Sequence, residues 1–447
     1  MPYNLTQGGI FKNIAVFSIP FFISYFLQTL YGLADLFIIG QFESAEAITA
    51  VAVGSQVMHF LTVIIVGLAM GATVLIGRSV GAKNFRSVSR ITGNTITLFG
   101  ILSTILTGLL LFFCKDIVDL LKTPPEAIDG TVHYLQVCFA GIPFIVAYNV
   151  IAAVFRGMGD SRHPMYFIAL ACLFNIALDY AFIGGFRLGA EGAALATVIA
   201  QTLSVAVSVT AAKKSRFGVQ VSKRDLRPNR TIFRGILGIG TPVAAQDGFI
   251  QVSFLFITMI ANSRGLEIAA AVGIVEKIIG FLFLVPSSML STVSAIAAQN
   301  IGAGEALRAK RTLWAGTAIA AGFGAVFAIG FQFASTPALA LFTDDAAVIR
   351  YGTEYLRTYV IDCFVAAVHF CFSGYFCACG LSVISFIHNA LSIVIFRIPG
   401  TWLAARYFPE TLAPMGLAAP VGSLFSVIVC LIVYRILGKR KPKVSSG

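Results

Sequence analysis

Charge is what this sequence is short of. Asp, Glu, Lys and Arg together make up 12% of the residues, about half the share of a soluble globular domain. With 57% of the chain hydrophobic and a mean hydropathy of +0.87, a soluble fold is excluded and a polytopic membrane protein is what remains. Cysteine chemistry is missing too. The eight cysteines all lie within or at the ends of apolar runs, with no paired spacing for a disulfide framework and none for zinc. Cys377-Ala-Cys379 reads as helix-packing sulfur. There is no G-x-x-x-x-G-K-[ST] loop to cradle ATP and no H-E-x-x-H, so work done by this protein must draw on an ion gradient. The first apolar run is too long for a cleavable signal and lacks an A-x-A-like site.

What is present is a series of apolar runs. A spanning helix needs about 20 apolar residues, and twelve such runs are predicted, near 10–39, 47–77, 88–114, 131–155, 163–184, 190–212, 232–261, 267–298, 311–334, 347–379, 382–405 and 414–437. Only one connection is long and strongly polar, 213–230, after the sixth run. With the N-terminus placed in the cytoplasm, 23 of the 32 Lys and Arg fall on the cytoplasmic side and seven outside, as the positive-inside rule requires. The net charge of +12 is therefore topology. Its partner is anionic membrane lipid, and nucleic acid is not needed to explain it. Both termini are expected in the cytoplasm, with the chain in the plasma (inner) membrane.

The chain also repeats itself. Val80-Gly81-Ala82 with Arg90 matches Ile301-Gly302-Ala303 with Arg311, and Phe155 to Gly159 matches Phe376 to Gly380, both pairs separated by the same 221 residues. Gly81 and Gly302 read as turn glycines. Each half has six spans, an even number, so both enter the membrane in the same direction. The expected fold is all-α, two six-helix lobes related by a pseudo-two-fold axis along the membrane normal. The N-lobe is 1–212, the basic linker 213–230 and the C-lobe 231–447.

Acids inside spans are expensive, about 2.5 to 3.5 kcal/mol each on insertion scales, and mark functional sites. The first half has Asp35 on span 1 and Asp179 on span 5. Asn175 is one turn before Asp179 on the same helix face, and Thr197 is at a comparable depth on span 6. Adjacent carboxylates in low dielectric do not both ionise, so one holds a proton; equally, two carboxylates, an amide and a hydroxyl form an oxygen cage for Na⁺. A neutral, hydrogen-bonded pair that knits the lobe is the structural alternative. The second half has Asp247, Glu276 beside Lys277, Asp362 and Arg397. Asp247, Asp362 and Glu276 are candidates for a second cation site, while pairing of Glu276 with Lys277 or Arg397 would be structural. Pro20 lacks an N–H and clashes with the turn before it, which marks span 1 for a kink or hinge.

Together these features resemble the multidrug and toxic compound extrusion (MATE) family. The resemblance runs the length of the chain. Phe17-Ser-Ile-Pro20 and Gly240-Thr-Pro242 open the two lobes, and Arg78-x-x-Gly81-Ala82 recurs as Gln299-x-x-Gly302-Ala303. Phe155-Arg-Gly-Met-Gly-Asp160, Asn175-Ile-Ala-Leu-Asp179 and Gly192-Ala-Ala-Leu-Ala-Thr197 complete it. It implies a monomeric transporter, not an enzyme, without an organic cofactor, that exports cationic or amphipathic compounds in exchange for H⁺ or Na⁺. One prokaryotic branch couples through an N-lobe site whose residue types match Asp35, Asn175, Asp179 and Thr197, with Asn149 on span 4 as a further member. Its kinking proline matches Pro20. Other branches use a glutamate on span 7, where this chain has Gln246-Asp247. A lipid-linked oligosaccharide flippase of the same superfamily is the alternative. It would have to pass a pyrophosphate, and the spans offer it only Lys277 and Arg397 against five acids.

Overall fold

The computed structural model describes residues 4–214 and 221–439, and all regular structure among them is helical. Part of the expected linker, 215–220, and the basic residues Arg440, Lys441 and Lys443 lie outside the described residues. The first half comprises α1 (Ile10–Phe42), α2 (Ala45–Gly81), α3 (Phe85–Phe112), the short α4 (Cys114–Leu120), α5 (Ile128–Ala140), α6 (Ile142–Gly157), α7 (Arg162–Asp179) and α8 (Gly189–Lys214). The second comprises α9 (Arg230–Asn262), α10 (Leu266–Leu282), α11 (Leu284–Gly302), α12 (Ala306–Ala340), α13 (Ala346–Tyr359), α14 (Ile361–Ala378), α15 (Ser382–Leu391), α16 (Ile398–Tyr407) and α17 (Ala413–Lys439).

Eleven of the resulting helical stretches are long and apolar enough to cross a membrane, and the fourth expected span makes twelve if its two segments count as one. That span is bent by 48° between α5 and α6. Pro143, in the first turn of α6, has no N–H to bond back to Phe139, so the ladder is interrupted there. Residues such as Phe112 and Phe333 stand 80% and 81% exposed, which suits a hydrocarbon surround and no aqueous one.

The repeat is visible in the backbone. After α6, Asp160 N bonds to Phe155 O at 2.9 Å around Gly159, which has φ +89°. After α14, Leu381 N bonds to Phe376 O at 2.8 Å around Gly380, φ +75°. The ends of α2 and α11 match in the same way. Asn84 N reaches Ser79 O at 2.9 Å past Lys83, φ +57°, and Glu305 N reaches Asn300 O at 2.8 Å past Gly304, φ +80°. All four are left-handed helix C-caps that satisfy carbonyls the helix leaves open.

The chain divides into two compact units, Met1–Ala244 with Ala298–Arg308, and Ala245–Ala297 with Ala309–Gly447. In the first unit, glycines let backbones touch. A Cβ on Gly71 would lie 2.0 Å from Ile236 O, and one on Gly240 would lie 2.2 Å from Leu68 O. The repeated turn glycines meet reciprocally. Gly81 faces Gln299 O and Gly302 faces Arg78 O, each with room for no Cβ (1.9 Å). Small residues that bring helices together in this way replace the hydrophobic drive that lipid does not supply.

The described part of the polar connection, 221–229, is docked on α3. Asn94 donates to Asp225 O (3.0 Å) and accepts from Asn229 N (2.7 Å), and Thr97 donates to Leu226 O (2.7 Å).

Candidate functional site

Three helices of the first unit deliver the expected polar groups to one place. α7 packs against both α1 and α8. Asp35 of α1, Asn175 and Asp179 of α7, and Thr197 of α8 are 2%, 0%, 0% and 8% exposed. Thr197 Oγ1 donates to Asp35 Oδ2 at 3.5 Å, and the side chains of Asp179 and Asn175 complete the surroundings of the Asp35 carboxyl. Asp35 Oδ1, both carboxyl oxygens of Asp179 and both amide atoms of Asn175 have no partner at hydrogen-bond geometry.

Buried polar atoms are nearly always satisfied, and each one left open is costly. Five open atoms in one buried cluster therefore describe a site built to be completed by something small. Its accepting atoms are all oxygens, four from carboxyls and two from the amide and hydroxyl. Such a set fits a proton shared between carboxyls or a hard cation such as Na⁺, and does not suit a soft transition metal. No group of three or more His, Cys, Asp and Glu suited to a metal occurs among the described residues.

Immediately after Asp179 the helix widens. Residues Tyr180–Gly185 form a π-helical turn, a distortion that recurs at functional sites. It shifts the C-terminal end of α7 out of regular register at the last residue of the site. Sequence reasoning missed this turn and two tyrosines. Tyr31 lies beside Asp35 and Thr197, and Tyr134 beside Tyr31 and Asp35. The Tyr134 hydroxyl is 3.1 Å from Ser55 Oγ. Tyr31 was within reach of the sequence, one turn before Asp35 on the same helix. Tyr134 was not, because the bend in span 4 decides which way α5 faces.

Asn149 is buried on α6 and spends its amide N–H on Ile145 O of its own helix (2.9 Å). It is not among the groups that act on Asp35. Pro20 is buried inside α1, which is helical on both sides of it. Ser24 Oγ donates to Pro20 O at 2.8 Å, and the Arg156 guanidinium is stacked over the neighbouring Phe21 ring, 4.9 Å from its centroid.

In the second unit, Glu276 accepts from Thr258 Oγ1 at 3.2 Å. Asp362 is 1% exposed, and both acids act on Arg397. Lys277 is exposed, so Arg397 and not Lys277 is the basic neighbour of Glu276. Asp247 is half-buried on α9 and is not among the groups that act on Glu276 or Asp362; its influence falls on Cys377.

With this geometry in hand, similarity to known proteins is informative. The profile of the family described as MatE matches residues 20–181 and again 242–403. Over 433 residues the chain is 26% identical to a Bacillus subtilis protein named probable multidrug resistance protein YpnP, covering 97% of this chain and 96% of that one. It is 25% identical over 410 residues to the multidrug export protein MepA of Staphylococcus aureus, covering 89% and 88%. Among solved structures, one described as MATE in the straight conformation superposes with a TM-score of 0.91 over 98% of both chains at 22% identity. A MOP superfamily transporter from Pyrococcus furiosus gives the same score and identity over 98% of this chain and 97% of that one. At such identity these structures establish the fold.

Proposed function

This chain belongs to the MatE family of multi-pass membrane transporters, and from that premise we propose that it is a secondary antiporter that exports cationic or amphipathic drugs in exchange for H⁺ or Na⁺. It is not an enzyme. The observation that carries the coupling reading is the buried Asp35–Asn175–Asp179–Thr197 cluster with its five open atoms. In this reading an ion entering from outside completes the cluster and removes its unpaired charge. The lobe then rearranges about Pro20, and the cargo leaves outward. The cargo-loaded, ion-free protein returns inward, which gives alternating access. The protein works as a monomer in the plasma membrane with both termini in the cytoplasm.

A proton moving down 100 mV supplies about 2.3 kcal/mol, and one pH unit adds about 1.4 kcal/mol. One proton across both supports a gradient of roughly 500-fold for an uncharged cargo, but roughly tenfold for a monovalent cation, whose exit against the potential cancels the electrical part. The flippase alternative lacks a means of holding pyrophosphate: of the two basic residues within spans, Lys277 is exposed and Arg397 is engaged by Tyr359.

The test is uptake of a fluorescent lipophilic cation into proteoliposomes, with a pH gradient and a Na⁺ gradient imposed separately. Wild type should respond to one or both. Asp35→Asn should respond to neither while still equilibrating the dye. Gradient-driven uptake that survives Asp35→Asn would make the cluster structural.

A further inference from the structure

Residues 4–9, ahead of α1, form a small hook that is held from two directions. The Asn4 side chain closes its turn by accepting from Thr6 N at 3.1 Å. The Leu5 side chain is 5% exposed, and Gly8, φ +78°, turns the chain toward α1. From the hook's own helix, Asn13 donates its amide to Gln7 O at 2.8 Å and to Leu5 O at 3.3 Å. The second grip comes from the other half of the sequence. Asn300, near the end of α11, donates to Leu5 O at 3.4 Å. Arg308, in the first turn of α12, donates to Gln7 O and Gly8 O at 3.0 and 2.8 Å. Both residues lie within the first compact unit.

The approach to α9 makes the reverse exchange, since 221–229 docks on α3 of the first half through Asn94 and Thr97. That segment lies between α8 and α9 and joins the halves covalently whatever its hydrogen bonds do. The hook reaches α11 and α12 by hydrogen bonds alone. Its bonding is arranged so that these can be given up. A carbonyl oxygen has two lone pairs, and Leu5 O and Gln7 O each share theirs between Asn13 and the opposite half. If Asn300 and Arg308 withdraw, both carbonyls keep Asn13. Gly8 O belongs to an exposed residue and passes to water. The hook therefore keeps its shape in either situation, and neither of its shared carbonyls is stranded.

We propose that residues 4–9 are a releasable latch on the cytoplasmic side, docked on Asn300 and Arg308 while that side is shut and carried away intact on α1 when it opens. The inference rests on the alternating-access reading above, in which the two halves part at the cytoplasmic face. There α2 and α11 are in backbone contact, with Gly81 against Gln299 O and Gly302 against Arg78 O. Those contacts bring the halves together without directional bonds, and the latch adds the bonds. Arg308 supplies most of the hold, because hydrogen bonds from a guanidinium are charge-assisted. The helix that bears the hook also carries Pro20 and, beyond it, Asp35. Completion of the ion cluster and release of the latch thus meet on one helix.

Two experiments test whether the latch holds and whether it lets go. Ala298 is 0% exposed and precedes the Gln299 carbonyl that meets Gly81, so Ala298→Cys reports the parting of α2 and α11. Its alkylation by a membrane-impermeant maleimide, above the labelling of the native cysteines, should quicken about fivefold or more in Arg308→Ala. Removal of residues 4–8 should do the same. An unchanged rate in either variant, shown by gel filtration to be folded, overturns the proposal. The second experiment needs no weakened protein. Gln7→Cys/Arg308→Cys is joined by a short reducible bis-thiosulfonate reagent, and uptake of the fluorescent cation is followed in proteoliposomes. Uptake should stop on bridging and return on reduction, while each single variant is indifferent to the reagent. A bridged protein that transports at the unbridged rate overturns the proposal, because the hook then never leaves. Absence of gradient-driven uptake in wild type would instead refute the antiport reading, and the alkylation rates would still decide the latch.

Discussion

Replacing Gly71 by alanine adds one methyl group where the structure has no room for it. The new Cβ would lie 2.0 Å from Ile236 O, 2.9 Å from Ile236 C and 3.1 Å from Gly240 N. All three are backbone atoms, so no rotamer change relieves the contact. A carbon and a carbonyl oxygen need about 3.3 Å, so α2 and α9 would have to part by about 1.3 Å at this level, a gap large enough to forfeit a quarter to a half of each flanking dispersion contact. Gly67 presses on Ala244 in the same stripe and would be lifted with it. Overpacking of this kind costs about 1–3 kcal/mol. Against this, alanine regains up to about 1 kcal/mol of helix propensity, so the net effect should be destabilising. Gly100→Ala on α3 provides the control, because nothing lies within 4 Å of the added methyl. There the propensity stands alone, and the change should be neutral to stabilising by up to about 1 kcal/mol. Thermal denaturation in detergent, followed by fluorescence-detected gel filtration, should place Gly71→Ala several degrees below wild type and Gly100→Ala at or above it. The reasoning is refuted if Gly71→Ala proves as stable as Gly100→Ala.

Other changes test other parts of the fold. Lys83 occupies the left-handed cap position that Gly304 fills in the repeat, so Lys83→Gly should stabilise the protein by up to about 1 kcal/mol; a lower melting temperature would contradict the strain argument. Asn94→Ala removes two hydrogen bonds that hold 221–229 on α3, together worth about 1–3 kcal/mol. Tryptic cleavage after Arg224 should quicken about fivefold or more, and an unchanged rate would mean the docking rests elsewhere. Asp225 accepts from Ser222 Oγ and Ser222 N (2.7 and 2.8 Å), and these bonds, with Arg90 and Arg86 nearby, hold its carboxyl below the usual carboxylate range. A depressed value means that its ordering of the connection is fully present above the unfolded value of about 3.9 and is lost as pH falls through the folded one. A spin label at Leu226 should therefore gain mobility only below about pH 4, and a transition near neutrality would point to another group.

The architecture was legible because lipid makes hydropathy decisive. The edges of α1 and α7 fall within a few residues of their predicted runs, and the four polar residues meet because i, i+4 spacing and span direction fix depth in a bilayer. The glycine faces were written in the sequence as Gly67-x-x-x-Gly71, although turn formation is the plainer reading of Gly81 and Gly302. What resisted reading depends on rotation about the helix axis. Tyr134 reaches the cluster only because Pro143 bends span 4. Arg397 turns away from lipid toward Asp362 and Glu276 while Lys277 does not, and no residue count distinguishes the two. A π-helical turn adds one residue per turn and leaves no mark in composition. The docking of 221–229 on α3 escaped notice because a run of charges looks solvated until the carbonyls that Asn94 and Thr97 grip are seen.

The membership of the first unit has a consequence for how the chain is made. That unit needs α9 as far as Ala244, and it needs Ala298–Arg308 to meet Gly81 and the end of α2. Six helices can enter the bilayer once Lys214 has left the ribosome, yet the unit they belong to is incomplete until Arg308 has been added. At about 5–20 residues per second that interval lasts roughly 5 to 20 s. Gly67 and Gly71 of α2 are bare to lipid, or to whatever membrane chaperone or protease finds them first, until α9 has been added as far as Ala244, and Gly81 stays bare until Gln299 to Ala303 follow. A nascent chain arrested anywhere in that window is an orphan half, and a gene fragment ending at residue 212 should be degraded or rescued only by co-expression of the remainder.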